Sequence, residues 1–153
     1  MTVIEYELIC KNEQETRQLA EKIGRRLVPG SVVALEGDLG AGKTTFTKGI
    51  AKSLGVTRTV NSPTFTIMKQ YKGNMPLYHM DVYRIENEDE DFGFEEYFEG
   101  DGVTIVEWAH LIKAQLPDEL LTLYLFHEGD EQRRIKAMPQ GEFYEKLCEE
   151  IFE

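Results

Sequence analysis

The period of the apolar positions changes repeatedly along the chain, and each change marks an element. Residues 3–9 alternate apolar and polar, with Ile4, Tyr6 and Leu8 on one side, the pattern of a half-buried strand. From Asn12, a residue suited to an N-cap, Thr16, Leu19, Ala20, Ile23 and Leu27 recur at helical spacing until Pro29 and Gly30 stop the segment. Residues 32–35, Val-Val-Ala-Leu, form an unbroken apolar run between turn signals, as in a parallel strand covered on both faces. Residues 43–54 read as a helix with Phe46, Ile50 and Leu54 on one side and Gly55 as its stop.

The second half continues the alternation. Residues 64–71 and 76–83 are β-rich runs around Lys72-Gly73-Asn74, a hairpin turn. Residues 103–106 form another buried-strand run, and residues 108–116 a short helix ended by Pro117. A second hairpin is expected from residues 120–126 and 133–137 about Glu128-Gly129-Asp130, followed by a closing helix over residues 142–152. Strands alternating with helices, plus hairpins, predict an α/β fold: a single-domain sheet over residues 1–153, parallel in the centre, with antiparallel hairpin strands and flanking helices.

Composition narrows the setting. A length of 153 residues suits one domain, and 41% hydrophobic with 29% charged residues is ordinary for a soluble globular chain. No apolar run is long enough to span a bilayer, and the first residues lack a basic segment followed by an apolar one, so a cytoplasmic location is expected. Cys10 and Cys148 are too few and too far apart for a disulfide framework or a zinc motif. A formal charge of -11 opposes direct binding to a phosphate backbone, so any link to nucleic acid should run through a partner.

The chemistry concentrates in residues 37–44, Gly-Asp-Leu-Gly-Ala-Gly-Lys-Thr, which follow a predicted strand and open a predicted helix. That context is the one a phosphate-binding loop requires. Glycines let the main chain of Asp38, Leu39, Gly40, Ala41 and Gly42, continuing into Lys43, Thr44 and Thr45, curl so that N–H groups converge on phosphate oxygens at the positive end of the helix. Lys43 would neutralise the β- and γ-phosphates and Thr44 would offer its hydroxyl to Mg²⁺, which implies a nucleoside triphosphate with Mg²⁺.

Such a loop needs carboxylates for the metal, and in open α/β sheets these lie at the carboxyl ends of strands. Asp81 and Glu107 each end a strand-like run, so they are the candidates to hold Mg²⁺ or orient an attacking water; read alone, each could equally be a solvated turn residue. Asp38 lies inside the loop, where it either caps the turn or positions water. Ser62-Pro63-Thr64-Phe65-Thr66 reads by spacing as a strand entry that could also sense a γ-phosphate. His79 and Trp108 read as structural residues, Arg84 as a surface ion-pair former, and the acidic tract of residues 86–101 as a solvated face.

Residues 37–45 (GDLGAGKTT), 62–66 (SPTFT), 79–84 (HMDVYR) and 106–108 (VEW), in this order and at these intervals, resemble the bacterial TsaE family, and the resemblance covers nearly the whole chain. It implies a small P-loop ATPase needed to make threonylcarbamoyladenosine beside the anticodon of tRNA. It further implies partners, TsaD and TsaB, with TsaD performing the transfer, hydrolysis weak in the isolated subunit and used to reset the complex, and tRNA reached only through the assembly. Carried onto this chain, Lys43 and Thr44 match the phosphate and magnesium ligands, Asp81 and Glu107 the metal-site acids, Thr64 the nucleotide-sensing segment, and Trp108 the tryptophan after the acid.

Other nucleotide chemistries use the same loop. A small-molecule kinase would be expected to bring an arginine-bearing lid, whereas the segment before the VEW strand is acidic and Arg133 and Arg134 come far along the chain. A regulatory GTPase would carry an Asn/Thr-Lys-x-Asp signature, which is missing. A module that senses ATP without useful turnover stays open at this level.

Overall fold

A computed structural model describes residues 4–38, 41–61, 68–83, 85 and 93–152. One seven-stranded sheet runs through it, with strands β1 (Tyr6–Cys10), β2 (Val32–Glu36), β3 (Met68–Tyr71), β4 (Leu77–Asp81), β5 (Val103–Glu107), β6 (Leu120–His127) and β7 (Arg133–Gln140). Their spatial order is β1-β7-β6-β2-β5-β4-β3. The four strands β6, β2, β5 and β4 are mutually parallel; β3 joins antiparallel at one end, and β7 and β1 at the other. The mixed α/β sheet expected from the sequence is therefore observed.

Helices α1 (Glu13–Gly24), α2 (Lys43–Ser53) and α4 (Glu142–Phe152) contribute to one core layer. On β2, Val33 and Leu35 join this layer with Leu19, Ile23, Phe46 and Ile50. The intervening Val32 and Ala34 face a smaller core built on α3 (Phe94–Phe98) and the 3-10 helix Ala109–Gln115. Burial on both faces explains why β2 reads as a continuous apolar run. Successive strand residues alternate between layers, so the layer a side chain joins is set by its parity.

Several boundaries differ from the sequence expectation. Asn12 caps α1 as expected, its side chain accepting from Glu15 N–H at 2.9 Å, but the helix stops at Gly24. Leu27 keeps its buried place through a turn, Leu27 N–H donating to Gly24 C=O, which is why the helical period outlasts the helix. On the first strand Tyr6 and Cys10 face the core, whereas Leu8 is 39% exposed because β1 is an edge with little covering it. The helix expected over residues 108–116 is a 3-10 helix broken by non-helical angles at Ile112. Within the acidic tract, α3 buries Phe94 and Phe98, so those aromatics serve the smaller core, while residues 86–92 lie outside the described residues.

Both cysteines are buried and unpaired; burial raises the Cys10 thiol and pushes Cys148 up to about 12. Among the described residues no helix is long and apolar enough to cross a membrane.

Candidate nucleotide-binding site

The site lies at the carboxyl ends of β2, β4 and β5. After Glu36 the chain leaves β2 through Gly37, whose φ of 152° is open to glycine and strained for other residues. A Cβ there would stand 2.6 Å from the Leu125 carbonyl oxygen of β6, so the exit from β2 is pressed against its neighbour. Ala41 N–H donates to Asp38 C=O at 3.0 Å, closing a turn. Gly42, at φ 103°, then caps α2, and the helical ladder begins with Phe46 N–H donating to Gly42 C=O. The N–H groups of a helix's first turn precede that ladder and carry the positive end of its dipole. Lys43, Thr44 and Thr45 form this turn.

Lys43 is only 5% exposed, and its Nζ has no hydrogen-bond partner among the described residues. The ammonium instead lies 3.6 Å from the centroid of the Trp108 ring, where the ring's quadrupole attracts it. Burial lowers the Lys43 pKa, opposed by the nearby negative charges of Glu107, Asp81, Glu36 and Asp38. A desolvated cation with no acceptor among the described residues, at the start of a helix, is an arrangement that can receive an anion.

Trp108 is held in position by a left-handed backbone, φ 62°, immediately after β5. Its N–H donates to Leu35 C=O, and its ring also packs on Tyr83 at 4.9 Å. Asp81 and Glu107 end β4 and β5, and the parallel register sets them directly opposite one another. Burial raises the Asp81 pKa, and the facing Glu107 charge adds to that; the Tyr83 N–H, which donates to Asp81 Oδ1 at 3.0 Å, works against it together with Lys43. Glu107 is 3% exposed and meets His79 Nε2 through Oε2.

The structure thus gathers Lys43, Asp81, Glu107 and Trp108 around one point, with Thr44 in the adjacent helical turn and Asp38 exposed at the loop's entry. Leu39, Gly40 and Thr64, with the rest of residues 62–67, and Arg84 lie outside the described residues. No cluster of three or more His, Cys, Asp or Glu able to hold a metal occurs among the described residues. The facing Asp81 and Glu107 carboxylates near Lys43 are compatible with Mg²⁺ all the same, because that ion is ordinarily held by one or two carboxylates plus substrate phosphates and water.

Two contributors were not legible in the sequence. Arg133, at the start of β7, folds back onto the loop, its Nε donating to Ala41 C=O at 3.0 Å. Its Nη1 holds the turn carbonyls of Asp130 and Gln132. Distance along the chain hid this tether, and only the β6–β7 pairing reveals it. Arg134 points elsewhere, to Glu7 and Glu128. Glu36, the last residue of β2, accepts through Oε2 from the His110 backbone N–H and meets the His110 ring, linking the loop's root to the segment after Trp108.

Comparison with known proteins identifies the family. Residues 10–135 match the family model described as threonylcarbamoyl adenosine biosynthesis protein TsaE. The chain is 57% identical over 141 residues to the tRNA threonylcarbamoyladenosine biosynthesis protein TsaE of Bacillus subtilis, covering 92% of this chain and 89% of that protein. It is 40% identical over 129 residues to the protein of the same description from Treponema pallidum, covering 83% and 96%. The crystal structure of Bacillus subtilis YdiB superposes with a TM-score of 0.86 at 48% identity, covering 99% of this chain and 96% of that one.

Proposed function

The chain belongs to the TsaE family, and on that premise we propose that it is the ATP-binding and ATP-hydrolysing subunit of the machinery that makes threonylcarbamoyladenosine in tRNA. The observation that carries the reading is the buried Lys43 ammonium, which has no hydrogen-bond acceptor among the described residues, at the N-terminus of α2 near the Asp81 and Glu107 carboxylates. In this reading the loop's backbone amides and Lys43 bind the β- and γ-phosphates. The Thr44 hydroxyl and the two carboxylates hold Mg²⁺, directly or through water. Bound there, Mg²⁺ would supply charge neutralisation on the phosphate oxygens. Trp108 backs Lys43 and keeps it dry, so that its charge acts in a low-dielectric setting.

The formal charge of -11 supports a reading in which partners, TsaD and TsaB, grip the tRNA, while hydrolysis in this subunit resets their cycle and is weak without them. The test is ATP turnover measured with and without purified TsaD and TsaB, for wild type and Lys43→Ala, together with nucleotide affinity by calorimetry. Loss of a charge-assisted phosphate contact costs about 1.5 to 3 kcal/mol, so affinity in the variant should fall by about ten- to 150-fold. Wild-type affinity in Lys43→Ala would overturn the site. Turnover that the partners leave unchanged would overturn the role in the complex.

A further inference from the structure

His79 lies two residues before Asp81 on β4 and is fully buried. Parallel pairing sets His79 opposite Ile105 and Asp81 opposite Glu107, so residue parity brings His79 to the same face as both acids and diagonally adjacent to Glu107. Its Nε2 meets Glu107 Oε2, and neither side chain has appreciable contact with solvent. Its other ring nitrogen, Nδ1, is buried with no hydrogen-bond partner among the described residues.

This arrangement selects one tautomer. A neutral imidazole carries a single N–H. Placed on Nε2, the proton gives the carboxylate a donor; placed on Nδ1, it would strand a buried donor and set the bare Nε2 against the carboxylate oxygen. The bond therefore runs from His79 Nε2–H to Glu107 Oε2. An aliphatic side chain would occupy this core position without leaving a nitrogen unsatisfied, and an unsatisfied buried polar atom is costly. The contact with Glu107 is what the imidazole supplies in exchange.

We infer that His79 is a positioning residue for the divalent cation. By donating to Glu107 Oε2 it fixes the rotation of that carboxylate and leaves Oε1 as the oxygen for the ion or its water, at the strand ends that Glu107 shares with Asp81. The inference rests on the nucleotide and Mg²⁺ reading of the site, and it adds a supporting residue behind the ligand. Partners of this kind orient metal-binding carboxylates, and their loss ordinarily weakens metal affinity about ten- to a hundredfold.

The experiment compares wild type, His79→Leu, His79→Gln and Glu107→Ala by calorimetric titration of ADP and ATP, in EDTA and across a series of Mg²⁺ concentrations. His79→Leu should keep its nucleotide affinity in EDTA while the Mg²⁺ needed for half-maximal enhancement rises about ten- to a hundredfold. His79→Gln, whose amide can place a donor near the former Nε2, should recover most of that loss. If Glu107→Ala responds to Mg²⁺ like wild type, the site reading itself fails. If Glu107→Ala loses the response and His79→Leu keeps it, only the positioning role fails. An equal loss in EDTA and in Mg²⁺ for His79→Leu, without rescue by glutamine, would mark a general structural role and overturn the inference. Should His79→Leu not fold, ¹⁵N spectra of the wild-type imidazole decide: a protonated Nε2 and bare Nδ1, shifted when Mg²⁺ joins the nucleotide complex, support it, and the opposite tautomer or signals indifferent to Mg²⁺ sink it.

Discussion

Asp81 carries an electrostatic conflict that the unliganded protein has to tolerate. Burial disfavours its charge and Glu107 faces it across the strand pair, so its pKa is raised despite the Tyr83 N–H and Lys43. A carboxyl whose folded pKa exceeds its unfolded value favours folding when protonated and opposes it when ionised. At neutral pH the ionised Asp81 is therefore a net cost, and Asp81→Asn should stabilise the unliganded protein by about 1 kcal/mol or less after solvent screening. Thermal melts should show that advantage at pH 7 and lose it as pH falls through the raised pKa, where wild-type Asp81 becomes neutral. In the same variant any enhancement of nucleotide binding by Mg²⁺ should weaken, since on the proposed reading Asp81 is one of the two carboxylates that hold the ion. An unchanged melting temperature at pH 7 would contradict the assigned conflict. At this scale the loop residues and both acids were legible, because each is marked by its place at a strand end or helix start. The contact of His79 with Glu107 was not, because it depends on which strands become neighbours and in what register.

At the scale of elements, the phosphate loop is restrained from the hairpin side. The β6–β7 hairpin sends the Arg133 guanidinium to Ala41 C=O, while the Leu125 carbonyl of β6 lies where a Cβ on residue 37 would have to go. Arg133→Ala should leave the fold intact and reduce nucleotide affinity several-fold equally in EDTA and in Mg²⁺, since it removes a loop restraint and no metal ligand. That pattern distinguishes it from the variants at Glu107 and His79 in one calorimetric series, and an effect seen only with Mg²⁺ would argue against the tether. The order and type of the long elements were readable from periodicity. The 3-10 helix was not, because its break at Ile112 and the left-handed Trp108 are imposed by packing around the site. Helix α3 was missed because its five residues are too short for a period to declare itself among acids. Phe94 and Phe98, four apart and both buried, were the available signal.

For the whole molecule, a formal charge of -11 sets the choice of partners. Binding to tRNA draws on neutralised phosphates and released counterions, and this surface offers little of either. The isolated chain should not retard tRNA on a native gel at about 0.15 M salt, with or without ATP, and retardation should appear only when the partner proteins are added. A shift caused by this chain alone would show that local basic groups outweigh the overall field. This expectation is carried by composition alone, whereas the division of the core into two layers required the strand order.

The indole cover on Lys43 bears on how a ligand is captured. An amine exposed on a loop would have to shed its hydration shell at the moment of encounter, and that cost would be subtracted from affinity. Here burial under the indole accompanies folding, so on the proposed reading an arriving polyphosphate would meet a cation already shielded from solvent and fixed in direction, and more of their attraction would be retained as binding.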